Sequence, residues 1–445
     1  MSDNMRKWLP WILVAAVAVI IIVVIAVNAG GDDEEAADTT TTTAADTTTT
    51  TVEETTTTVE ETTTSTTEAE MALEPIPVKI GTVLPQTGQL ATIIDALESG
   101  IKLAVDDANA ASPDLVTVEY GDSGTDPNVA STTVDRYLTG EHSAILGAAS
   151  SGVSLSFVDK VQGSQVAMCS GSNTAAALSS SDYDPYYSRT APSDNLQGPT
   201  LADLIAGDAP ASVAILWRAD EYGKGFGELV AAELGDVVVL AEGYDFAAGS
   251  FATEAQAVVA SGAEALVIIT FDEGGQLLLD LESAGYAGQI YVADGFKDTV
   301  GSDQVGGNVA LFDGIKGTAP SASPENGEAT FPDRFAAAFP DTATIFSAQN
   351  YDCLVTTVLA AQAAQSADPT VFVAEIGNVT RDGEKCSLFE DCFNLIMAGA
   401  DIDYDGASGP LDYGPNNEPT IGTYDIFVYD AEGVATTIEQ VVQGG

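Results

Sequence analysis

The feature that most constrains this chain is the alternation of apolar strand-like runs with amphipathic helical segments after residue 77. Val78–Leu84 and Ala265–Thr270 have the composition of buried strands, and Asp95–Asn109 repeats apolar residues at helical spacing. This alternation predicts mostly parallel sheets with helices on both faces. About 370 residues exceed one typical core, so we expect two lobes. Doubly wound sheets in tandem place a crevice between the lobes, at the carboxyl ends of their strands.

The order of the elements predicts how the chain divides between the lobes. A second series of strands and helices begins after Arg189, helices at Pro332–Phe339 and Ser347–Ser366 return to the first lobe, and a strand at Tyr424–Tyr429 returns to the second. The predicted division is residues 77–194 and 321–408 for lobe 1, and residues 195–320 and 409–445 for lobe 2.

The N-terminal residues 1–29 read as a membrane anchor or a signal peptide. Arg6 and Lys7 precede the uncharged run Trp11–Val27, and acidic residues follow it. Positive residues stay on the cytoplasmic side, so this pattern predicts that the rest of the chain lies outside the cell membrane. The run is short for a membrane span, and Val27-Asn28-Ala29 offers the small residues that a signal peptidase cuts. The chain is therefore either tethered by this helix or secreted after cleavage.

Residues 30–76 are predicted to be a disordered linker. They contain runs of Thr with Glu and almost nothing apolar, and Thr48–Glu54 and Thr55–Glu61 both read TTTTVEE. One Val in seven residues cannot form the seam of a coiled coil, which needs two apolar positions. A polar, self-repelling segment of this composition is typical of a flexible tether.

The acidic balance excludes some partners. The chain has 67 Asp and Glu against 14 Lys and Arg, a net charge of −53. Such a surface repels nucleic acid and anionic lipid, so we expect neither as a partner. Solubility in a salty habitat is the usual reason for this balance.

The four cysteines are compatible with disulfides in an extracytoplasmic protein. Cys386 and Cys392 are close in sequence and are predicted to close a small loop. Cys169 and Cys353 can pair as well, but each lies beside apolar residues and can equally be a buried thiol. The sequence alone allows three pairings.

The sequence contains no common catalytic motif. The single histidine, His142, stands outside any cluster, and nucleophile elbows, zinc motifs and phosphate loops do not occur. One window has calcium-loop spacing, with Asp401, Asp403, Asp405 and Asp412. No helix can follow it at Tyr413–Asn417, so an acidic surface turn is the competing interpretation. We expect no metal and no cofactor.

Polar, small residues follow two successive strands of the first lobe. Ala148–Gly152 follows one strand, and Ser170–Thr174 follows the next. Small residues at a helix start leave backbone N–H groups free, and an anion is favourable there. A helix N-cap explains each loop alone, but two such loops at one sheet edge can together hold a carboxylate.

From Val78 to about Asp430 the chain resembles a known family. The matching pieces, in order, are VKIGTVLPQTG, YGDSGTDPNVA, SGSNT, RTAPSDNLQGP, DEYGKGFGELVA, FATEAQAVVASGAEALVI, SAGYAGQIYVADG, QNYDC and SGPLDYGPNNEPTIGTYDIFVYD. Their order and spacing resemble the branched-chain amino-acid-binding group of ABC-transporter solute-binding proteins, which have the type 1 periplasmic-binding fold. The resemblance implies an α/β Venus-flytrap monomer with three crossovers between its lobes.

The resemblance also implies which residues hold the ligand. By position, Ser151, Ser172 and Thr174 match the lobe-1 groups that grip an amino acid's carboxylate. Asp194, in the hinge motif, matches the family's acid in the cleft, Asp294 the acid set against the ammonium group, and Tyr222 the aromatic that closes over the ligand. Thr270 and Phe271 end the strand that faces the ligand side chain.

One departure affects the ligand. Ile93 stands where the family often has an aromatic residue, so leucine, isoleucine or valine is not assumed; an amino acid, an amide or a similar small molecule is expected. The expected function is capture of this ligand for the membrane subunits of an ABC permease. The alternatives are a sensor domain for a signalling partner and, more remotely, a secreted hydrolase.

Overall fold

The computed structural model describes residues 73–445. The predicted anchor and most of the predicted linker lie outside this range. The linker was expected to extend to Ile76, but the backbone N–H groups of Glu74 and Ile76 donate to Gln365 Oε1 at 3.3 Å and Gln362 Oε1 at 2.8 Å. The ordered contacts of the body therefore begin slightly before Pro77. Within the described range, no helix combines the length and the apolar character that a membrane span requires.

The first part of the chain builds a five-stranded sheet with the spatial order β2-β1-β3-β4-β5, in which all neighbours are parallel. Its elements are β1 (Val78–Val83), α1 (Ile94–Ala111), β2 (Val116–Glu119), α2 (Pro127–Leu138), β3 (Ala144–Gly147), α3 (Ser151–Leu155), α4 (Val158–Gly163), β4 (Ala167–Ser170) and β5 (Tyr187–Arg189).

The next part forms most of a seven-stranded sheet with the order β15-β14-β10-β9-β8-β6-β7. Its elements are α5 (Asp194–Asp208), β6 (Val213–Arg218), α6 (Glu221–Leu234), β7 (Val238–Tyr244), α7 (Ala252–Ser261), β8 (Ala265–Ile269), α8 (Gly274–Ala284), β9 (Gln289–Val292) and β10 (Lys316–Pro320).

The last part contributes to both halves. The elements are α9 (Phe331–Ala338), α10 (Ser347–Ala363), α11 (Pro369–Phe372), β11 (Glu384–Cys386), α12 (Phe389–Met397), β12 (Ile402–Gly406), β13 (Gly409–Pro410), β14 (Ile421–Tyr429) and β15 (Ala435–Gly444). Strands β11, β12 and β13 form a small third sheet, whereas β14 and β15 extend the seven-stranded sheet in antiparallel fashion.

Local sequence explains the main elements. In α1 the buried residues Leu97, Ile101, Ala104 and Ala108 recur at helical spacing and place one face on the core. Helix α2 begins after Asp126, whose carboxylate accepts hydrogen bonds from the N–H groups of Asn128 and Val129 at 2.8 and 3.2 Å. This cap satisfies two of the free donors at the helix start. Every residue of β8 is buried, as expected of a central strand with helices on both faces.

Two predicted elements differ from the structure. The helix expected at Leu155–Val161 is broken into α3 and α4, and the strand expected at Gln165–Met168 runs instead from Ala167 to Ser170. Gln165 has a positive φ of 57°, a conformation outside the β region, and it therefore ends the preceding turn instead of starting the strand.

In both large sheets the chain reverses its direction of winding. In the first sheet β1 lies between β2 and β3, and in the second β6 lies between β7 and β8. Residues that follow β3, β4, β8 and β9 therefore emerge at carboxyl ends beside these switch points, where open α/β sheets form crevices. The fold is the α/β type with two doubly wound sheets that the sequence predicted.

Two disulfides are present, Cys169–Cys353 and Cys386–Cys392. The first joins the end of β4 to α10, with the Cα atoms 5.8 Å apart, and it resolves the choice between a pair and two buried thiols. Nearby, a Cβ atom at Gly171 would lie 2.6 Å from the backbone nitrogen of Asn350, so glycine is required for α10 to come this close. The start of α10 is thus fixed against the loop that follows β4.

We predict that replacing both Cys169 and Cys353 by Ala lowers the free energy of unfolding by about 2–5 kcal/mol, because the bond constrains a long segment of the unfolded chain. The bonded residues are 184 positions apart, whereas Cys386 and Cys392 are separated by only 6. The control, Cys386→Ala with Cys392→Ala, should lose less. Urea unfolding of the three proteins measures both values, and a larger loss in the control would contradict the prediction.

Candidate functional site

A small cavity lies between the carboxyl ends of the two large sheets. Its walls come from both halves of the fold. The first half contributes Leu90, Ile93, Ala149, Ser151, Ser172, Thr174 and Phe346, and the second contributes Tyr222, Phe271, Asp294, Gly295 and Thr299. Six of the eight residues predicted to bind a ligand therefore surround one cavity; Asp194 and Thr270 do not line it.

Three hydroxyl groups line the wall contributed by the first half. Ser151 is the first residue of α3, and its Oγ accepts a hydrogen bond from the N–H of Ala175 at 3.3 Å. Ser172 Oγ donates to the carbonyl of Ala149 at 3.4 Å. Together with Thr174, these side chains place three neutral hydroxyl groups beside the cavity, and Ser172 would exchange its long bond to Ala149 for one to an oxygen-rich group such as a carboxylate.

The buried Asn173 ties together the two loops that carry these hydroxyls. Its Nδ2 donates to the carbonyls of Ala148 and Ala149 at 2.9 and 3.0 Å, and its Oδ1 accepts from Tyr187 at 3.2 Å. All of its polar atoms are thus used inside the protein. Asn173 therefore positions the loops, and its neighbours Ser172 and Thr174 line the cavity.

Arg189 also holds these two loops in place, and it was not predicted as a site residue. It is fully buried, and its Nη1 donates to the carbonyls of Asn173 and Ala175 at 3.2 and 3.0 Å. Its Nε donates to Glu418 at 2.8 Å, which pairs the buried charge. Because a buried cation needs such a partner, removing Glu418 would destabilise the loop as well as the ion pair.

Asp294 dominates the opposite wall. It follows β9 and is 5% exposed, and its Oδ1 accepts hydrogen bonds from Gln197 Nε2 and the Tyr222 hydroxyl, both at 3.0 Å. Burial raises the pKa of Asp294 to about 6, although both hydrogen bonds act in the opposite direction. Gln197 was not predicted as a site residue; it lies one helical turn after Asp194 in α5.

Asp194 lies behind the cavity wall and is completely buried. Within residues 73–445, neither of its carboxylate oxygens has a hydrogen-bond partner. Burial raises the pKa of Asp194 well above its usual range, and the negative charge of Asp294 raises it further, whereas the Thr174 hydroxyl and the positive charge of Arg189 act in the opposite direction. Two neighbouring buried carboxyl groups favour either a shared proton or a cation from outside the chain.

Aromatic rings complete the wall around Asp294. Tyr222, in the first turn of α6, stacks on Phe271 with a centroid distance of 5.4 Å and an angle of 15° between the planes. The Tyr222 hydroxyl also accepts the N–H of Gly295 at 3.3 Å, which holds the ring beside the carboxylate. The hydroxyl of Thr270 instead donates to the carbonyl of Phe271 at 3.3 Å. The side chain of Phe271, and not that of Thr270, lines the cavity.

The remaining wall is apolar. Leu90, Ile93 and Phe346 are 3%, 4% and 4% exposed and lie on the cavity. Phe346 precedes α10 and has a φ of 56°, a left-handed conformation that is costly for a bulky residue. Its ring comes from a segment far from Ile93 in sequence, so the pattern of the chain alone could not place it here.

The predicted calcium window has a different structure. Asp403 and Asp405 belong to β12, and Lys385 Nζ pairs with both carboxylates at 2.9 Å. Within residues 73–445 there is no group of three or more His, Cys, Asp or Glu side chains arranged to hold a metal ion. His142 lies apart from the cavity, with Nε2 3.3 Å from a Glu119 oxygen.

Comparison with known proteins agrees with this architecture. A family model described as a periplasmic binding protein matches residues 77–433. BasB, the substrate-binding protein of a chemotactic signal transduction system in Halobacterium salinarum, is 24% identical over 375 residues, covering 78% of this chain and 86% of BasB.

Two solved structures share the fold. The leucine-binding protein LivK of Thermotoga maritima has a TM-score of 0.70 and 17% identity, covering 82% of this chain and 98% of LivK. The branched-chain amino-acid-binding protein LivJ of Streptococcus pneumoniae, solved with isoleucine, has a TM-score of 0.68 and 18% identity, covering 83% of this chain and all of LivJ, 100%. The matched family and fold are those of solute-binding proteins, not of enzymes.

We predict that Asp294→Asn stabilises the ligand-free protein at neutral pH. A carboxyl group whose pKa is raised on folding contributes stability below its unfolded pKa and loses that contribution as pH rises through the folded value, about 6. The variant does not titrate, so its advantage should grow from about pH 4 to about pH 6 and reach roughly 1–3 kcal/mol above that.

Denaturant unfolding after removal of any co-purified ligand, repeated across this pH range, measures the difference. Asp303→Asn is a matched control, because Asp303 is exposed on the same half of the fold. A constant difference between Asp294→Asn and the wild type at all pH values would contradict the raised pKa.

Proposed function

Because the chain belongs to the periplasmic binding protein family, we propose that it is an extracytoplasmic solute-binding protein that captures a small amino acid between its two lobes. We take lobe 1 as residues 77–194 and 321–408, and lobe 2 as residues 195–320 and 409–445. In this proposal the loaded protein delivers its ligand to the membrane subunits of an ABC permease, works as a monomer and is held at the membrane by its N-terminal segment.

The observation that carries the proposal is the polarity of the cavity. Ser151, Ser172 and Thr174 face it from lobe 1, and the buried carboxylate of Asp294 faces it from lobe 2. A zwitterion needs donors at its carboxylate and an anion at its ammonium group, at a fixed separation. An amino acid that satisfies both walls therefore favours the closed arrangement of the lobes.

The remaining lining limits the ligand's side chain. Of the residues that line the cavity within the described chain, none is Lys, Arg or His. A second carboxylate on the ligand would therefore lack a counter-charge, whereas Leu90, Ile93 and Phe346 offer an apolar surface. These contacts support a neutral amino acid with a small apolar side chain. A carboxylic acid without an amine would leave Asp194 and Asp294 without a cation.

All of the predicted residues except Thr270, which does not line the cavity, have a proposed role. The three hydroxyls bind the carboxylate, Asp294 binds the ammonium group, and Asp194 adds negative charge behind it. Tyr222 and Phe271 cover the ligand from lobe 2. Gln197 is a positioning residue, because it holds the Asp294 carboxylate by a hydrogen bond of 3.0 Å while also donating to the Thr318 carbonyl at 3.0 Å.

The test begins with a thermal-shift screen of the purified protein against L-amino acids, amides, urea and aromatic acids. A ligand that raises the melting temperature then enters calorimetric titration. No shift with any amino acid would contradict the proposed ligand class, and a shift with aromatic acids alone would favour a ligand without an amine.

We predict that Asp294→Ala weakens binding of the amino acid found in this screen by roughly 100-fold, because a buried charge pair loses one partner. The protein should stay folded, since Asp294 lies on the cavity wall and not in the apolar core. Asp303→Ala is the control and should bind as the wild type does. Unchanged affinity of Asp294→Ala in calorimetry would refute its role.

A second function has one specific observation in its favour. BasB, similar to this chain over 78% of its length, is named as part of a chemotactic signal transduction system. In that case closure would be read by a signalling partner instead of a permease. Deletion of the gene separates the two: loss of uptake of the labelled amino acid supports transport, and loss of the swimming response with normal uptake supports sensing.

A further inference from the structure

We propose that Gln89, Arg218 and Glu273 form a latch between the lobes that holds the cleft closed and sets how long a ligand stays bound. The latch lies outside the ligand cavity, since none of its three residues lines it. The inference rests on the proposed function for the identity of the ligand, but the contact between the lobes can be measured without any ligand.

The side-chain amide of Gln89 makes hydrogen bonds across the cleft through both its nitrogen and its oxygen. Its Nε2 donates to Glu273 Oε2 at 3.1 Å, and its Oε1 accepts from Arg218 Nη2 at 3.1 Å. Gln89 belongs to lobe 1 and the other two residues to lobe 2. These hydrogen bonds therefore exist only while the lobes are closed, and opening exchanges both of them for water.

The lobe-1 side of the latch is presented on a fixed loop. Thr87 donates its N–H and its hydroxyl to Asp122 at 3.1 and 2.6 Å, and the N–H of Leu90 donates to Thr125 at 3.1 Å. Gly88 has a φ of 93°, and a Cβ atom there would lie 2.0 Å from the Gly124 carbonyl oxygen. The loop is anchored on both sides of Gln89, so little ordering remains when the latch forms.

The lobe-2 side is equally fixed. Arg218 is 2% exposed, and its guanidinium lies 3.6 Å from the centroid of the Phe271 ring and 4.4 Å from that of Phe246. It pairs with Glu273 at 3.0 Å and Asp220 at 2.7 Å. Glu273 also accepts the hydroxyl of Tyr244 at 3.0 Å. Arginine and glutamate are thus held in place before Gln89 arrives.

This arrangement couples the latch to the ligand wall. The Phe271 ring that Arg218 covers lines the cavity and stacks on Tyr222. Hydrogen bonds between a neutral amide and charged groups are stronger than those between neutral groups. Losing both Gln89 hydrogen bonds should therefore change the ratio of closed to open protein by roughly tenfold. The dissociation rate should change by a similar factor, while the ligand's own contacts remain.

The first experiment compares Gln89→Ala with Gln86→Ala. Gln86 is on the same loop, but its Nε2 donates to Glu98 at 3.2 Å within lobe 1. Cysteines introduced at the exposed positions Asp159 and Glu233 carry spin labels on the two lobes, and the native cysteines are all disulfide-bonded. Electron–electron distance measurements then give the closed fraction without ligand and with a mixture of the twenty L-amino acids.

The expected result is a lower closed fraction in Gln89→Ala, with Gln86→Ala like the wild type. Stopped-flow dissociation of the bound amino acid should be roughly tenfold faster in Gln89→Ala alone. Thermal unfolding without ligand should be the same in all three proteins, since both side chains are on a surface loop.

The second experiment tests for rescue. Gln89→Glu places a carboxylate against Glu273 and should open the cleft. Adding Glu273→Gln lets the new amide at position 273 and Arg218 both donate to the carboxylate at position 89, and should return the closed fraction to within about twofold of the wild type. A residue with only a structural role would not show this recovery.

The outcomes separate the two proposals. A closed fraction that is the same in the wild type, Gln86→Ala and Gln89→Ala, with and without amino acids, overturns the latch. If the closed fraction is lower in Gln89→Ala than in the wild type, and the amino-acid mixture raises it in neither protein, the result supports the latch and contradicts the proposed ligand.

Discussion

The site depends on two neighbouring carboxyl groups enclosed in the protein, near Arg189, whose charge is already paired with Glu418. Asp194 is wholly buried with both oxygens unbonded, and Asp294 is 5% exposed beside it. Burying an unpaired charge has a large cost in free energy. In the proposed function, the ammonium group of the ligand relieves the part of this cost that Arg189 and the hydrogen bonds to Asp294 leave. Closure and binding are then one process.

Much of the fold could be predicted because its signals are local. The apolar run of β8 and the spaced Leu97, Ile101 and Ala104 of α1 specify their structure without help from distant residues. Elements at the edges were harder to predict. β15 is largely exposed and carries a bulge opposite Ile426 and Phe427, so its alternation is interrupted and its partner strand decides its structure.

The aspartates of β12 show that one sequence pattern can fit two different structures. Asp403 and Asp405 alternate with Ile402 and Tyr404, and the same spacing fits either a calcium loop or a strand. Ile402 and Tyr404 are buried, and the neighbouring strand supplies Lys385 to the aspartates. Burial of the alternate apolar residues therefore decides the structure, and this information depends on tertiary packing.

The sequence predicted those candidate-site residues that directly follow strands. Ser151 and Thr174 follow successive strands of one sheet, so their proximity follows from topology, whereas Asp294 follows a strand of the other sheet and was predicted only from the family resemblance. Phe346, Gln197 and Arg189 were not predicted as site residues, because their contacts join segments far apart in sequence. No local pattern distinguishes Gln197 from any other polar residue in a helix, or Phe346 from any other core aromatic.

The ion pair of Arg189 and Glu418 has a consequence for the motion of the lobes. Arg189 lies just before the chain first passes from one large sheet to the other, and Glu418 lies just before β14, on the third such passage. Tyr424 on β14 also donates to the carbonyl of Ser193 at 3.3 Å, so two connecting segments are fastened side by side. In the proposed opening of the lobes, these bonds between connecting segments would lie close to the axis of rotation. The pair would act as a pivot, and the displacement on opening would grow with distance from it along the lever arm of each lobe.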